Sequence, residues 1–188
     1  MEVERLYRNW DVVLDWAPFF LDPSIPSEGR ARTPQTTADT PKSPMETRGD
    51  SLGIEFRRGR SFTPHTLLAL QAGEFARQHG TTEQVIAYHR ALFKAYFTDF
   101  ENLMSADVLV RHATSAGLDG SALRAALEQG THLEETLAGI EHSYEIGVTG
   151  IPTFILNDQY AVVGAQDHAT FEQVFERLGA RRRETPPT

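Results

Sequence analysis

No cysteine occurs among the 188 residues of this chain. That absence excludes a disulfide framework, thiolate zinc sites and any intrinsic dithiol chemistry. Positive charge is also short: 18 basic residues stand against 26 acidic ones, a formal net charge of −8. The balance disfavours non-specific binding to nucleic acid or to anionic lipid. No apolar run approaches the roughly 20 residues that cross a bilayer, so no membrane partner is expected. The start Met1-Glu2-Val3-Glu4-Arg5 lacks the basic and apolar pattern of a signal peptide, which sets the expected location as cytoplasmic. There is no Gly-x-Ser-x-Gly and no Walker-type glycine loop, so hydrolase and nucleotidase readings have no support. Internal repeats are absent. What is present is ordinary for a globular protein: 40% hydrophobic and 23% charged residues, enough for one domain with an inserted subdomain.

Along the chain, Asp11 to Leu21 alternates with Val12, Leu14 and Trp16 on one face and reads as a strand ending near Pro18. Residues 22–50 hold Pro23, Pro26, Pro34, Pro41 and Pro44, many Ser and Thr, and only Ile25 and Met45 as large apolar side chains. Such a segment reads as a long loop or a flexible connector. Its Arg48-Gly49-Asp50 matches an integrin-binding tripeptide and is read as a chance occurrence. From Thr63 the pattern turns helical. Thr63-Pro64 reads as a helix start that Gly80 closes, and Thr82 to Phe97 carries a wide apolar stripe. Further helices are expected over Ser105–Gly117 and Ser121–Gln129. Another opens at a Thr131-x-x-Glu134 capping box and places Leu133, Leu137, Ile140 and Tyr144 on one face. Strands Thr153–Leu156 and Tyr160–Val163 flank Asn157-Asp158-Gln159 as a hairpin, Asp167 caps a last helix, and the tail from Ala180 reads as disordered.

The densest signal is Gly147-Val148-Thr149-Gly150-Ile151-Pro152-Thr153-Phe154-Ile155-Leu156. It joins a helix stop, a glycine-punctuated loop, an X-Pro bond and an apolar strand. The block Gly147 to Gln166 resembles the cis-proline loop and hairpin of DsbA-like thioredoxin-fold oxidoreductases of the FrnE-type branch. Tyr88 to Phe97 and Ala113 to Asp119 resemble that branch's inserted helical domain, and the likeness covers about Asp11–Pro26 and Ile54–Leu178. It implies an α/β, thioredoxin-like core, N-terminally truncated, with an inserted helical domain. The expected division is a core strand in 1–22, a connector in 23–62, a helical insertion in 63–146, a hairpin and helix in 147–179, and a flexible tail in 180–188. Members begin with a strand and a helix bearing Cys-x-x-Cys, which this chain does not carry, so it is expected to be redox-inactive. The loss leaves several outcomes open: re-pairing of the remnant strands, a homo-oligomer covering the exposed sheet edge, an unstable product, or a start upstream of Met1.

The resemblance also assigns a peptide or thiol substrate to the loop, at Thr149, Gly150, Ile151 and Pro152. The alternative for these four is a turn needed only for folding. No residue supplies a catalytic nucleophile and no cofactor is expected. Alternatives for the whole chain are a glutathione-dependent transferase or isomerase of the same fold, or a non-catalytic partner-binding module. The seven histidines (His65, His79, His89, His112, His132, His142 and His168) show no metal-ligand spacing, and His89 reads as a core residue. Phe56-Arg57-Arg58-Gly59-Arg60 reads as a solvated basic turn, with an anion contact as the lesser alternative.

Overall fold

A computed structural model describes residues 2–185. In chain order the elements are α1 (Glu2–Asn9), β1 (Arg30–Ala31), α2 (Pro44–Ser51), β2 (Phe62–Thr63), α3 (Leu67–His79) and α4 (Thr82–Lys94). A five-residue π-helical turn (Ala95–Asp99) follows, then α5 (Ala106–Ser115), α6 (Gly120–Gln129), α7 (Leu133–Glu145), β3 (Thr153–Leu156), β4 (Tyr160–Val163) and α8 (His168–Arg177). The residues form two compact units: one from Trp16 to Glu141, the other joining the chain up to Asp15 with the chain from His142 onward. Among the described residues no helix is long and apolar enough to cross a membrane.

The larger unit is organised by α3 to α6. Ala72, Phe75 and Ala76 of α3 meet Val85, Tyr88 and Leu92 of α4, Leu109 and Ala113 of α5, and Leu123 and Leu127 of α6. The polar tip of the fully buried Tyr88 is satisfied, since its hydroxyl donates to the Leu109 carbonyl at 3.3 Å. Burial raises its pKa, so it stays a donor. Local signals set the helix starts. The Thr81 N–H donates to Gln84 Oε1 at 2.8 Å while Thr81 Oγ1 accepts from the Gln84 N–H, a reciprocal capping box. Asp119 Oδ1 accepts from the N–H groups of Ser121 and Ala122 at the start of α6.

Two expectations change at the edges of this bundle. Thr63 lies in β2, paired with Arg30, and the helix-capping position passes to Thr66. The helix expected to reach Phe97 leaves α geometry after Lys94 and stops at Phe100, whose φ is 58°. Arg60 lies 3.6 Å over the Tyr96 ring and donates to the Tyr96 carbonyl, and the Arg57 N–H donates to the Phe97 carbonyl at 3.0 Å. The wider turn leaves these carbonyls free for partners outside the helix.

Residues 22–50 take the long-loop form of the two expected, with β1 and most of α2 set in it. Arg58 replaces the missing hydrophobic glue. Its Nε donates to Glu46 Oε1 at 2.8 Å, and its Nη1 donates to the carbonyls of Thr37, at 2.9 Å, and Thr40. Glu46 belongs to a second capping box, accepting from the Ser43 N–H at 2.7 Å. That backbone bond, then Arg58, pulls the Glu46 carboxyl down to about 2. Arg48-Gly49-Asp50 is consequently helical, with Gly49 buried and Asp50 paired to Lys42.

In the smaller unit, β3 and β4 pair antiparallel with Phe154 opposite Val162 and Leu156 opposite Tyr160. Phe154, Leu156 and Val162 cover Leu6 and Trp10 from the α1 segment and Phe171 and Phe175 of α8. The Phe154 and Phe171 rings meet edge-on at 4.8 Å. The strand expected in 1–22 is corrected. Residues 2–9 are helical, and 11–20 carry no ladder although Val12, Leu14 and Trp16 remain more buried than their neighbours. Alternation selected the face, but a strand also needs a partner for its backbone groups.

The tail expected to be flexible is held as far as it is described; 186–188 lie outside the described residues. Trp10 bridges Arg182. Arg183 Nε donates to the carbonyls of Tyr7 and Trp10 at 3.1 and 2.8 Å, closing the C-terminal end of α1. Arg182 stacks 4.5 Å from the Trp10 ring and pairs with Glu172 at 3.0 Å. On α7, Ile140 is buried as expected, but Leu133, Leu137 and Tyr144 are 38%, 46% and 42% exposed. The buried positions are instead Thr136, Ile140 and Ser143, a small-residue face that includes Gly139, where a Cβ would lie 2.7 Å from Pro18. Close approach by the small face prevailed over apolarity.

Candidate functional site

The loop that the sequence singled out follows α7. Gly147, at φ +82°, donates to the Tyr144 carbonyl while Val148 donates to Ser143, both at 3.0 Å. This is the paired-bond helix stop that a left-handed glycine permits. The chain then turns through Thr149 and Gly150, and the Ile151–Pro152 peptide bond is cis. The Thr153 hydroxyl donates to the Gly150 carbonyl at 2.7 Å, and the Gly164 N–H donates to the Pro152 carbonyl at 2.8 Å. Both ends of the loop are therefore fixed. At the far end of the hairpin, Asn157 and Asp158 both have positive φ, the requirement of a tight hairpin turn that matches strand twist.

The structure brings all four expected residues together on the surface. Thr149, Ile151 and Pro152 are exposed and Gly150 half-buried, with Ile151 57% accessible. The carbonyls of Gly150 and Pro152 are used within the loop, whereas the main-chain groups of Thr149 and Ile151 have no partner among the described residues. Next to them, among the described residues β3 pairs only with β4, so no strand is paired with its other edge. No side chain here is a thiol.

The histidines are dispersed. His89 is largely buried and stacked 4.3 Å from Trp16, and burial pushes its pKa down to about 4. His112 pairs with Glu101 at 2.8 Å and His168 with Glu2 at 2.9 Å. His132 is buried, with the His79 ring at 5.9 Å. Among the described residues no three His, Asp or Glu side chains converge as a metal site would require. The sequence reading missed the role of Arg58; a basic residue beside a segment poor in apolar side chains was the available signal.

A sequence model of the DsbA-like thioredoxin domain matches residues 1–176. The chain belongs to the DsbA-like thioredoxin domain family. It is 31% identical over 175 residues to the uncharacterized protein YwbO of Bacillus subtilis (strain 168), an alignment covering 90% of this chain and 84% of that one. Its fold is similar to the crystal structure of a probable DsbA oxidoreductase, SCO1869, from Streptomyces coelicolor. There the TM-score is 0.63 and the identity 26%, over 77% of this chain. The match spans 60% of the length of the Streptomyces chain. The DsbA-like fold accounts for the hairpin backed by α8 and for the helical insertion between the core segments.

Proposed function

We propose that this DsbA-like protein, of the FrnE type, docks an extended peptide or a small thiol along Thr149–Pro152 and the outer edge of β3, and performs no thiol–disulfide exchange by itself. The observation that carries the reading is the pair of unpartnered main-chain groups at Thr149 and Ile151, beside the open strand edge. An extended chain laid there gains ladder hydrogen bonds, and exposed Ile151 adds an apolar contact. Exchange begins when a thiolate attacks a disulfide sulfur, and a cysteine-free chain forms no mixed disulfide. Reduction of insulin disulfides by dithiothreitol should run at the same rate with and without the protein; acceleration overturns the inactive part of the reading. A dye-labelled apolar peptide should bind, and Ile151→Asp should weaken it by about tenfold. Unchanged affinity would mean that the peptide docks elsewhere.

A second reading is favoured by the hairpin face opposite α8, where Ile155 and Val163 are 41% and 61% exposed. On it, two copies pair through their β3 edges into one sheet, which brings Ile155 and Val163 of both copies side by side on one face. Light scattering that gives a monomer at all accessible concentrations removes this reading.

A further inference from the structure

Charge in the stretch of chain that builds the loop and hairpin has one sign. Between Arg124 and Arg177 the sequence holds no lysine or arginine, but nine aspartates and glutamates. Glu172 and Glu176 of α8 are paired with Arg182. Glu145 and Asp158 have no such partner, and they stand at the two ends of the β3 edge. Glu145 closes α7, where the Gly147 and Val148 N–H groups fold the chain back onto the helix end to begin the loop. Its carboxylate is 68% exposed, and its ion partner among the described residues is only His142 Nδ1, at 3.8 Å. Asp158 is exposed in the hairpin turn beyond Leu156, at φ 53°, and its carboxylate has no partner among the described residues. Between them β3 runs for four residues, a span of about 13 Å.

The edge between these carboxylates is apolar on both sides. Phe154 and Leu156 face the α8 cluster, while Ile155 lies open on the other face and Ile151 is exposed at the loop. A strand added there sends alternate side chains to each face, so a charge in its middle would lie against apolar surface. Its ends meet the carboxylates, and the C-terminal end of α7 adds the negative pole of the helix dipole beside the loop. Given docking along Thr149–Pro152 and β3, as proposed above, we infer that the ligand is a cationic peptide segment. It carries a run of apolar residues matching the four of β3, bounded at each end by lysine or arginine. Such a segment complements a stretch of chain that has carboxylates and no basic side chain. A glutathione-like thiol, with its surplus carboxylate, meets the same groups as a like charge and is disfavoured.

The test is fluorescence anisotropy of the 188-residue protein with dye-labelled peptides whose apolar centre matches β3 in length and is flanked by lysines, glutamines or glutamates. The lysine-flanked peptide should bind about tenfold tighter than the glutamate-flanked one at low salt, with the glutamine-flanked peptide between them. The difference should close at about 1 M sodium chloride, where the screening length falls to about 3 Å. Glu145→Gln combined with Asp158→Asn should remove the preference and leave the glutamine-flanked affinity unchanged. Asparagine keeps the left-handed turn position that Asp158 fills. Equal binding of the lysine and glutamate peptides, or tighter binding of the glutamate one, overturns the cationic ligand and leaves docking at the loop standing. A preference that survives the double substitution overturns it as well, because the cations would then sit elsewhere. If none of the peptides binds, the cationic ligand and the docking reading fall together.

Discussion

The α3–α6 bundle and the β3–β4 hairpin are built from similarly apolar segments, but only the bundle is enclosed. Leu109 and Leu123 are fully buried and every helix of the bundle has neighbours on its apolar side. The hairpin is two-faced: Phe154 and Val162 are packed against α8, while Ile155 and Val163 on the other face are open. The edge of β3 is open too. Apolar character is therefore a poor guide to burial in the hairpin and a good one in the α3–α6 bundle. In the bundle it reports the core; in the hairpin it also marks a face that no side chain of the unit encloses.

The comparison is broken most sharply at Leu109. Leu109→Ala should cost about 2–5 kcal/mol in urea unfolding, because a fully enclosed side chain leaves a cavity behind. A loss below about 1 kcal/mol would mean that the bundle relaxes as freely as a surface. The next effect is on pH dependence. His89 is held neutral by burial, its pKa near 4 against an ordinary value of 6.5. The unfolded chain takes the proton first, so the stability from burying a neutral ring is complete above about pH 6.5 and is lost as pH falls toward 4. The loss amounts to at most about 3 kcal/mol. His89→Phe keeps a ring against Trp16 and should flatten that part of the stability profile; an unchanged slope would assign it to other groups.

Those two sites were legible because helix period and capping residues act locally. The helices expected from Thr82 and from Ser121 were found within a residue of those starts, although their caps at Thr81 with Gln84 and at Asp119 were not read, and His89 was identifiable as a core residue from its apolar stripe. The Gly147–Pro152 loop was legible for the same reason, since a left-handed stop and an X-Pro bond are single-residue requirements. Order in the connector was not. It depends on Arg58 reaching back 21 residues to Thr37, a contact that composition does not encode. Nor was the tail, which is held by Arg183 on carbonyls more than 170 residues earlier. The α7 stripe misled for a different reason. Gly139 lets Pro18 approach one side of the helix, and that approach turns Leu133 and Leu137 outward.

The smallest expected effect is at Ile155. With its side chain 41% exposed on the open hairpin face, Ile155→Lys should change monomer stability by less than about 0.5 kcal/mol. The same charge introduced at Leu109 would be ruinous. Lysine on an exposed strand face also opposes edge-to-edge pairing. The informative measurement is therefore unfolding of Ile155→Lys at two protein concentrations. A neutral result at both means that the face is open in solution and available to a peptide. Destabilisation that is confined to the higher concentration means that a second copy covers it. Destabilisation at both, of the size expected for Leu109→Ala, would mean that the face is packed within one chain, and the contrast between bundle and hairpin would fall.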